Sequence, residues 1–147
     1  MVAAHLAALG MLLPSLSDAT RYLTEIERLR DLVARSAAAL DAPASYSHIT
    51  DARFDPLAVA YVVLGSRLGA KIVTRRLDAC GTDWNADVRG YFADEGSTGH
   101  WRALCDELDG IDDTSRLETI AQDARDVFAL YEKQARSFAG PRCMEPN

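Results

Sequence analysis

Apolar residues recur along this chain at steps of three and four, and no stretch alternates with the two-residue period of a half-buried strand. The pattern predicts an all-α fold. A first helix is expected over residues 2–16, with Pro14 distorting or ending it. Ser17 or Asp18 can cap a second helical stretch through "ATRYLTEIERLRDLVARSAAAL", where Leu23, Ile26, Leu29, Leu32 and Val33 keep helical spacing. A break near Arg28 or Arg30 is left open. "DAPASYSHITDARF" reads as a connecting loop, and Asp55-Pro56 then supplies a carboxylate N-cap and a first-position proline for a third helix reaching Leu77. "DACGTDWNADVRGYFADEGSTG" is expected to be irregular or briefly helical, and "HWRALCDEL" to form a short helix ending before Gly110. Asp112 or Asp113 opens the last helix, with Ser115 and Glu118 at capping-box spacing. Its expected core stripe is Leu117, Ile120, Ala124, Phe128, Tyr131, Ala135 and Phe138, and Gly140-Pro141 stops it. Residues 1–140 read as a single domain, with no internal repeat, and 141–147 as a disordered tail.

One segment breaks the propensity rules. "VVLGSRLGAKIV", residues 62–73, carries Gly65 and Gly69 inside a helix. Each costs roughly 1 kcal/mol against alanine, and the two lie one turn apart on one face. Close packing of another helix would offset the cost, with Ala58 and Ala70 continuing a strip of small residues. A slot for a flat ligand against bare backbone would offset it equally. Ser66, Arg67, Lys71, Arg75 and Arg76 suit an anionic plate, although basic residues also favour the dipole at a helix C-terminus.

With 147 residues, 48% apolar and 26% charged, the chain is an ordinary globular domain with room for a sizeable core. A net charge of −6 argues against non-specific binding to nucleic acid or an anionic membrane. Cys80, Cys105 and Cys143 are an odd set without metal-type spacing, so a reduced, cytoplasmic protein is expected. The opening "MVAAHLAALGMLL" lacks a basic lead-in and is too short to span a bilayer; it reads as a buried helix, with a hint that something precedes it. There is no CxxC, HExxH, GxSxG or phosphate-loop motif. The acidic runs "DELDGIDD" and "EIERLRD" read as solvated helix ends and faces, and Trp84 and Trp101 as core or pocket-wall aromatics.

"AYVVLGSRLGAKIVTRRL" resembles the distal helix of heme oxygenases, in particular the bacterial, biliverdin-producing type associated with phytochromes. The matching positions are Tyr61, Gly65, Ser66 and Gly69, with Ala70 where the family has a further glycine. "YFADEGSTGHWRAL" resembles the Gly-rich turn and Trp-Arg helix that follow in that family, and the resemblance extends over about residues 2–139. It implies a heme-oxygenase-like helical bundle that opens heme to biliverdin, iron and carbon monoxide. Heme is then both substrate and cofactor, and electrons come from a separate reductase. Gly65, Ser66 and Gly69 would form the catalytic face. Tyr61, Arg67, Ala70 and Arg102 would bind the plate, with Tyr61 and Arg102 near the propionates.

The resemblance has one gap. The family's proximal histidine lies on its first helix, whereas "VAAHLAALGMLLPSL" aligns better with the second, so the bundle reads as N-terminally shortened. His5 then matches that second helix's own non-ligand histidine and reads as a packed core residue, with iron ligation by substitution as the alternative. His48 falls in the Ser-rich loop, and His100 opens the Trp-Arg helix, close to the propionate edge and poorly placed as an axial ligand. Three accounts stand: an upstream helix, a member that binds heme, bilin or a protein partner without turnover, or recruitment of His5. An exposed groove would also favour a homodimer. A plain helical structural domain is the remaining alternative.

Overall fold

The computed structural model describes residues 2–16, 21–42, 53–79, 81 and 85–138. Expectations resting on Ser17, Asp18, His48, Cys80, Trp84, Cys143 and the chain beyond residue 138 lie outside that set, as does the side chain of Phe138. Six α-helices and one 3-10 turn make up the described chain, and it contains no strand.

Helix α1 (Val2–Leu12) is apolar all round, and Val2, Ala3, Ala4, Leu6, Ala7, Ala8, Leu9 and Leu12 are all buried. A helix with no polar face has to be covered on every side, and α1 is held between α2 (Leu23–Ala39) and α6 (Thr114–Phe138). Pro14 ends it by converting the last turn to a 3-10 turn at Leu13–Ser15.

Helix α2 runs unbroken through Arg28 and Arg30. Ile26, Leu29, Val33 and Ala37 form its buried stripe, behind a fully buried Tyr22. Ser36 sits on the same side, its hydroxyl 3.0 Å from the Leu32 carbonyl oxygen and 2.9 Å from that of Asp87. This joins α2 to α4 (Ala86–Phe92).

Helix α3 (Pro56–Ala79) starts as its sequence demands: Asp55 Oδ1 accepts the Leu57 N–H at 2.9 Å, and Pro56 occupies the first position. Over Pro56–Arg76 it is long and apolar enough to cross a membrane, yet 44% of that window is buried inside the protein. Its first half, Ala58, Val59, Ala60, Val62, Val63 and Leu64, is core. Its second half leaves Leu68 and Ile72 more than half exposed. Helices α4, α5 (Thr98–Asp109) and α6 pack around it.

The cap of α6 is Asp113, whose Oδ1 accepts the Ser115 and Arg116 N–H groups at 2.9 and 3.3 Å. Ser115 is therefore inside the helix, and the Ser115–Glu118 capping box does not form. The buried stripe of α6 is also rotated from the expected one. Ile120, Ala124, Val127 and Gln134 face inward, while Phe128 is 53% and Leu117 36% exposed.

Candidate functional site

The two glycines of α3 meet different surroundings. A Cβ on Gly65 would lie 3.2 Å from Cζ3 and 3.4 Å from Cη2 of Trp101, so the flat group resting on this backbone is the protein's own indole. Tyr61, one turn earlier, leans on the same indole with ring centroids 5.4 Å apart. A Cβ on Gly69 would meet nothing within 4 Å. The bare strip is thus half covered and half open.

The open half borders a cleft of about 190 Å³ lined by His5, Ser66, Gly69, Ala70, Val73, Tyr91 and Phe92. Helices α1, α3 and α4 each contribute a wall. Ser66 Oγ donates to the Val63 carbonyl at 2.7 Å, so its proton is committed to its own helix and its lone pairs are left for a ligand.

His5 faces this cleft from α1. Its Nδ1 lies 3.2 Å from the Tyr91 hydroxyl, and its ring meets the edges of Tyr91 and Tyr131 at centroid distances of 6.1 and 5.3 Å. Burial, with the Arg67 guanidinium as the next cause, lowers its pKa to about 4. The imidazole is therefore neutral at pH 7, the form that can coordinate a metal. Beside it, burial raises the pKa values of the Tyr91 and Tyr131 phenols, and the Tyr131 hydroxyl has no hydrogen-bond partner among the described residues.

Arg67 points inward, towards α4. It is 6% exposed, its Nη2 donates to the carbonyl oxygens of Tyr91 and Asp94, and its guanidinium lies 4.4 Å from the Tyr91 ring centroid. This cation–π contact and the Nη2 bonds turn the side chain expected to bind the plate towards α4, while its Nε and Nη1 are buried with no hydrogen-bond partner among the described residues. Arg102 is exposed on α5, next to the Trp101 that covers Gly65.

A charged network ties down the turn that leads into α5 and Trp101. In the turn "DEGS" before α5, Asp94 receives two guanidinium nitrogens of Arg28, at 3.0 and 2.9 Å. Arg28 also binds both carboxylate oxygens of the buried Glu25, at 2.8 and 2.7 Å, and the Ser97 hydroxyl donates to Glu25. Burial works to raise the pKa values of Glu25 and Asp94, but the Arg28 bonds outweigh it and hold both carboxyls below their ordinary values. A Cβ on Gly96 would come within 2.8 Å of Arg28 Nη2, so a side chain there would displace the guanidinium from its carboxylates. His100 is exposed, with Nδ1 3.9 Å from Glu25 Oε2, on the network's rim and away from the His5 cleft.

The structure therefore brings together His5, Ser66, Gly69 and Ala70, with Arg67 behind the Tyr91 ring, and separates them from the Tyr61–Gly65–Trp101 stack and from Arg102. Tyr91 and Phe92 complete the cleft without having been singled out as ligand contacts; their sequence signal was the place they hold at the start of "YFADEGSTGHWRAL", where the resembled family has Phe-Phe. Among the described residues no group of three or more His, Cys, Asp or Glu side chains gathers to hold a metal ion. Comparison with family models, with curated proteins and with solved structures finds no match for this chain.

Proposed function

We propose that this chain is a heme-oxygenase-like helical domain that binds a flat tetrapyrrole, heme or bilin, at the open half of the α3 glycine face. The observation that carries the reading is a neutral imidazole, His5, and the bare backbone at Gly69 bordering one cleft, with the Ser66 acceptor between them. The motif residues Tyr61, Gly65, Ser66 and Gly69 add the family resemblance.

The donor set suits the group better than the volume does. Clefts that engulf a small-molecule ligand measure about 300–1,000 Å³, whereas this one has about 190 Å³. It takes an edge of the plate. Trp101 occupies the other half of the glycine strip, so no enclosed, water-free chamber surrounds the ligand. Binding is accordingly the primary function we assign.

Oxidative opening to biliverdin, iron and carbon monoxide, with electrons from an external reductase, is the second reading, favoured by the protonation state of His5. Bound heme would supply the redox chemistry. The chain's own part would be to offer the His5 lone pair, to keep Gly69 clear of side chains and to hold an acceptor at Ser66.

Titration of the protein with hemin tests the proposal. A saturable Soret shift is expected, with the imidazole signature lost in His5→Ala. Absence of any shift overturns the binding reading. Biliverdin appearing under reductant and oxygen would promote the second reading over the first.

A further inference from the structure

A second concavity, outside the His5 cleft, opens between α3, α5 and α6. Its volume is about 340 Å³, inside the range of about 300–1,000 Å³ typical of small-molecule sites. Ile120 and Ala124 form a buried floor, Leu108 of α5 closes one end, and Phe128 and Leu117 stand exposed at the lips. Large apolar side chains left open around a groove of this size mark a place where something apolar binds.

Among the described residues, two with polar side chains line the groove, Tyr61 and Arg125. Two other arginines of α6 have carboxylate partners: Arg116 with Asp55 at 3.0 Å, and Arg136 with Glu132 at 2.5 Å. Arg125 instead donates to the neutral Gln122 amide oxygen at 3.3 Å, and no acidic residue among those described lines the groove. An apolar trough with one cation at its rim matches a molecule with an alkyl body and a single carboxylate head. Guanidinium and carboxylate meet through two parallel charge-assisted hydrogen bonds, which fixes the head while the floor accepts the chain.

We propose that the α3–α5–α6 groove binds a free medium-chain alkyl carboxylate, with its carboxylate on Arg125 and its chain along Ile120, Ala124 and Phe128. The site stands independently of the tetrapyrrole reading and shares only Tyr61 with the stretch that suggested it. The Tyr61–Trp101 stack gives a built-in reporter, since a chain entering beside Tyr61 disturbs the indole 5.4 Å away.

Decanoate and decanol are titrated into the full chain, followed by tryptophan fluorescence and calorimetry. Decanoate is expected to bind one to one and about tenfold more tightly than decanol, the worth of a hydrogen bond to a charged group. Arg125→Gln should bring decanoate down to the decanol level. Ala121→Trp, at an exposed lining position, should fill the groove and abolish both while circular dichroism stays unchanged. Equal affinities for acid and alcohol, no saturable binding, or undiminished binding by Ala121→Trp would overturn the proposal. So would a dimer in sedimentation that Ala121→Trp dissociates, because a second copy would then be the occupant.

Discussion

Single residues carry most of the contrast between the two ends of the glycine strip. A methyl group at position 69 enters open space and gains helix propensity. Gly69→Ala should therefore raise unfolding free energy by about 1 kcal/mol in urea titrations, whereas Gly65→Ala, which must push Trp101 aside, should gain nothing. Equal gains would mean that the indole does not rest on Gly65. His5 makes a second residue-scale prediction. Its folded pKa, about 4, is below the ordinary imidazole value of 6.5, so the unfolded chain binds the extra proton between these values. Stability should be complete above about pH 6.5, fall as the pH drops towards 4, and become insensitive to this group below that. His5→Phe should flatten that part of the profile of urea midpoint against pH. A wild-type profile that is already flat would place the imidazole in solvent.

At the scale of elements, the turn before α5 acts as a clamp. Glu25 is nearly buried and is compensated by Arg28, which is itself tied to Asp94. Glu25→Ala leaves Arg28 with one partner and should cost about 2 kcal/mol, less than a fully buried pair because Arg28 is 39% exposed. Both carboxyls have depressed folded pKa values, so the clamp contributes fully above about pH 4 and is lost as the pH falls through their folded values. A loss of Trp101 fluorescence asymmetry together with stability would show that the clamp also sets the indole.

Element boundaries were largely legible in the sequence, because caps and prolines act locally: Asp55-Pro56, Pro14, Gly110 and Asp113 all terminate helices where their chemistry requires. The face of α6 was not legible. Apolar spacing admits both the stripe through Leu117 and Phe128 and the one through Val127 and Gln134, and only the packing of α1 and α3 against α6 chooses between them. Gln134 is buried beside Met11, with Nε2 3.4 Å from the sulfur, a contact that periodicity has no means of foreseeing. The candidate site was legible in part for the same reason. Glycine at 65 and 69 announced a close approach, but that Trp101 of α5 covers Gly65 while Gly69 stays open depends on how α5 packs on α3, which helical spacing does not encode.

For the molecule as a whole, α1 supplies a core helix covered on all sides, and α3 turns from core to surface along its own length. That transition places an open glycine beside a neutral histidine on one side and a cation-rimmed apolar trough on another. The central claim is that the open glycine is there for a planar ligand. Hemin titration of wild type and Gly69→Leu, monitored at the Soret band with unfolding followed in parallel, tests it most directly. Position 69 is exposed, so the leucine should leave folding intact. The account predicts saturable binding by wild type and at least tenfold weaker binding by Gly69→Leu, with the variant no less stable than wild type. Identical titrations for the two proteins, or no band shift in either, would contradict it.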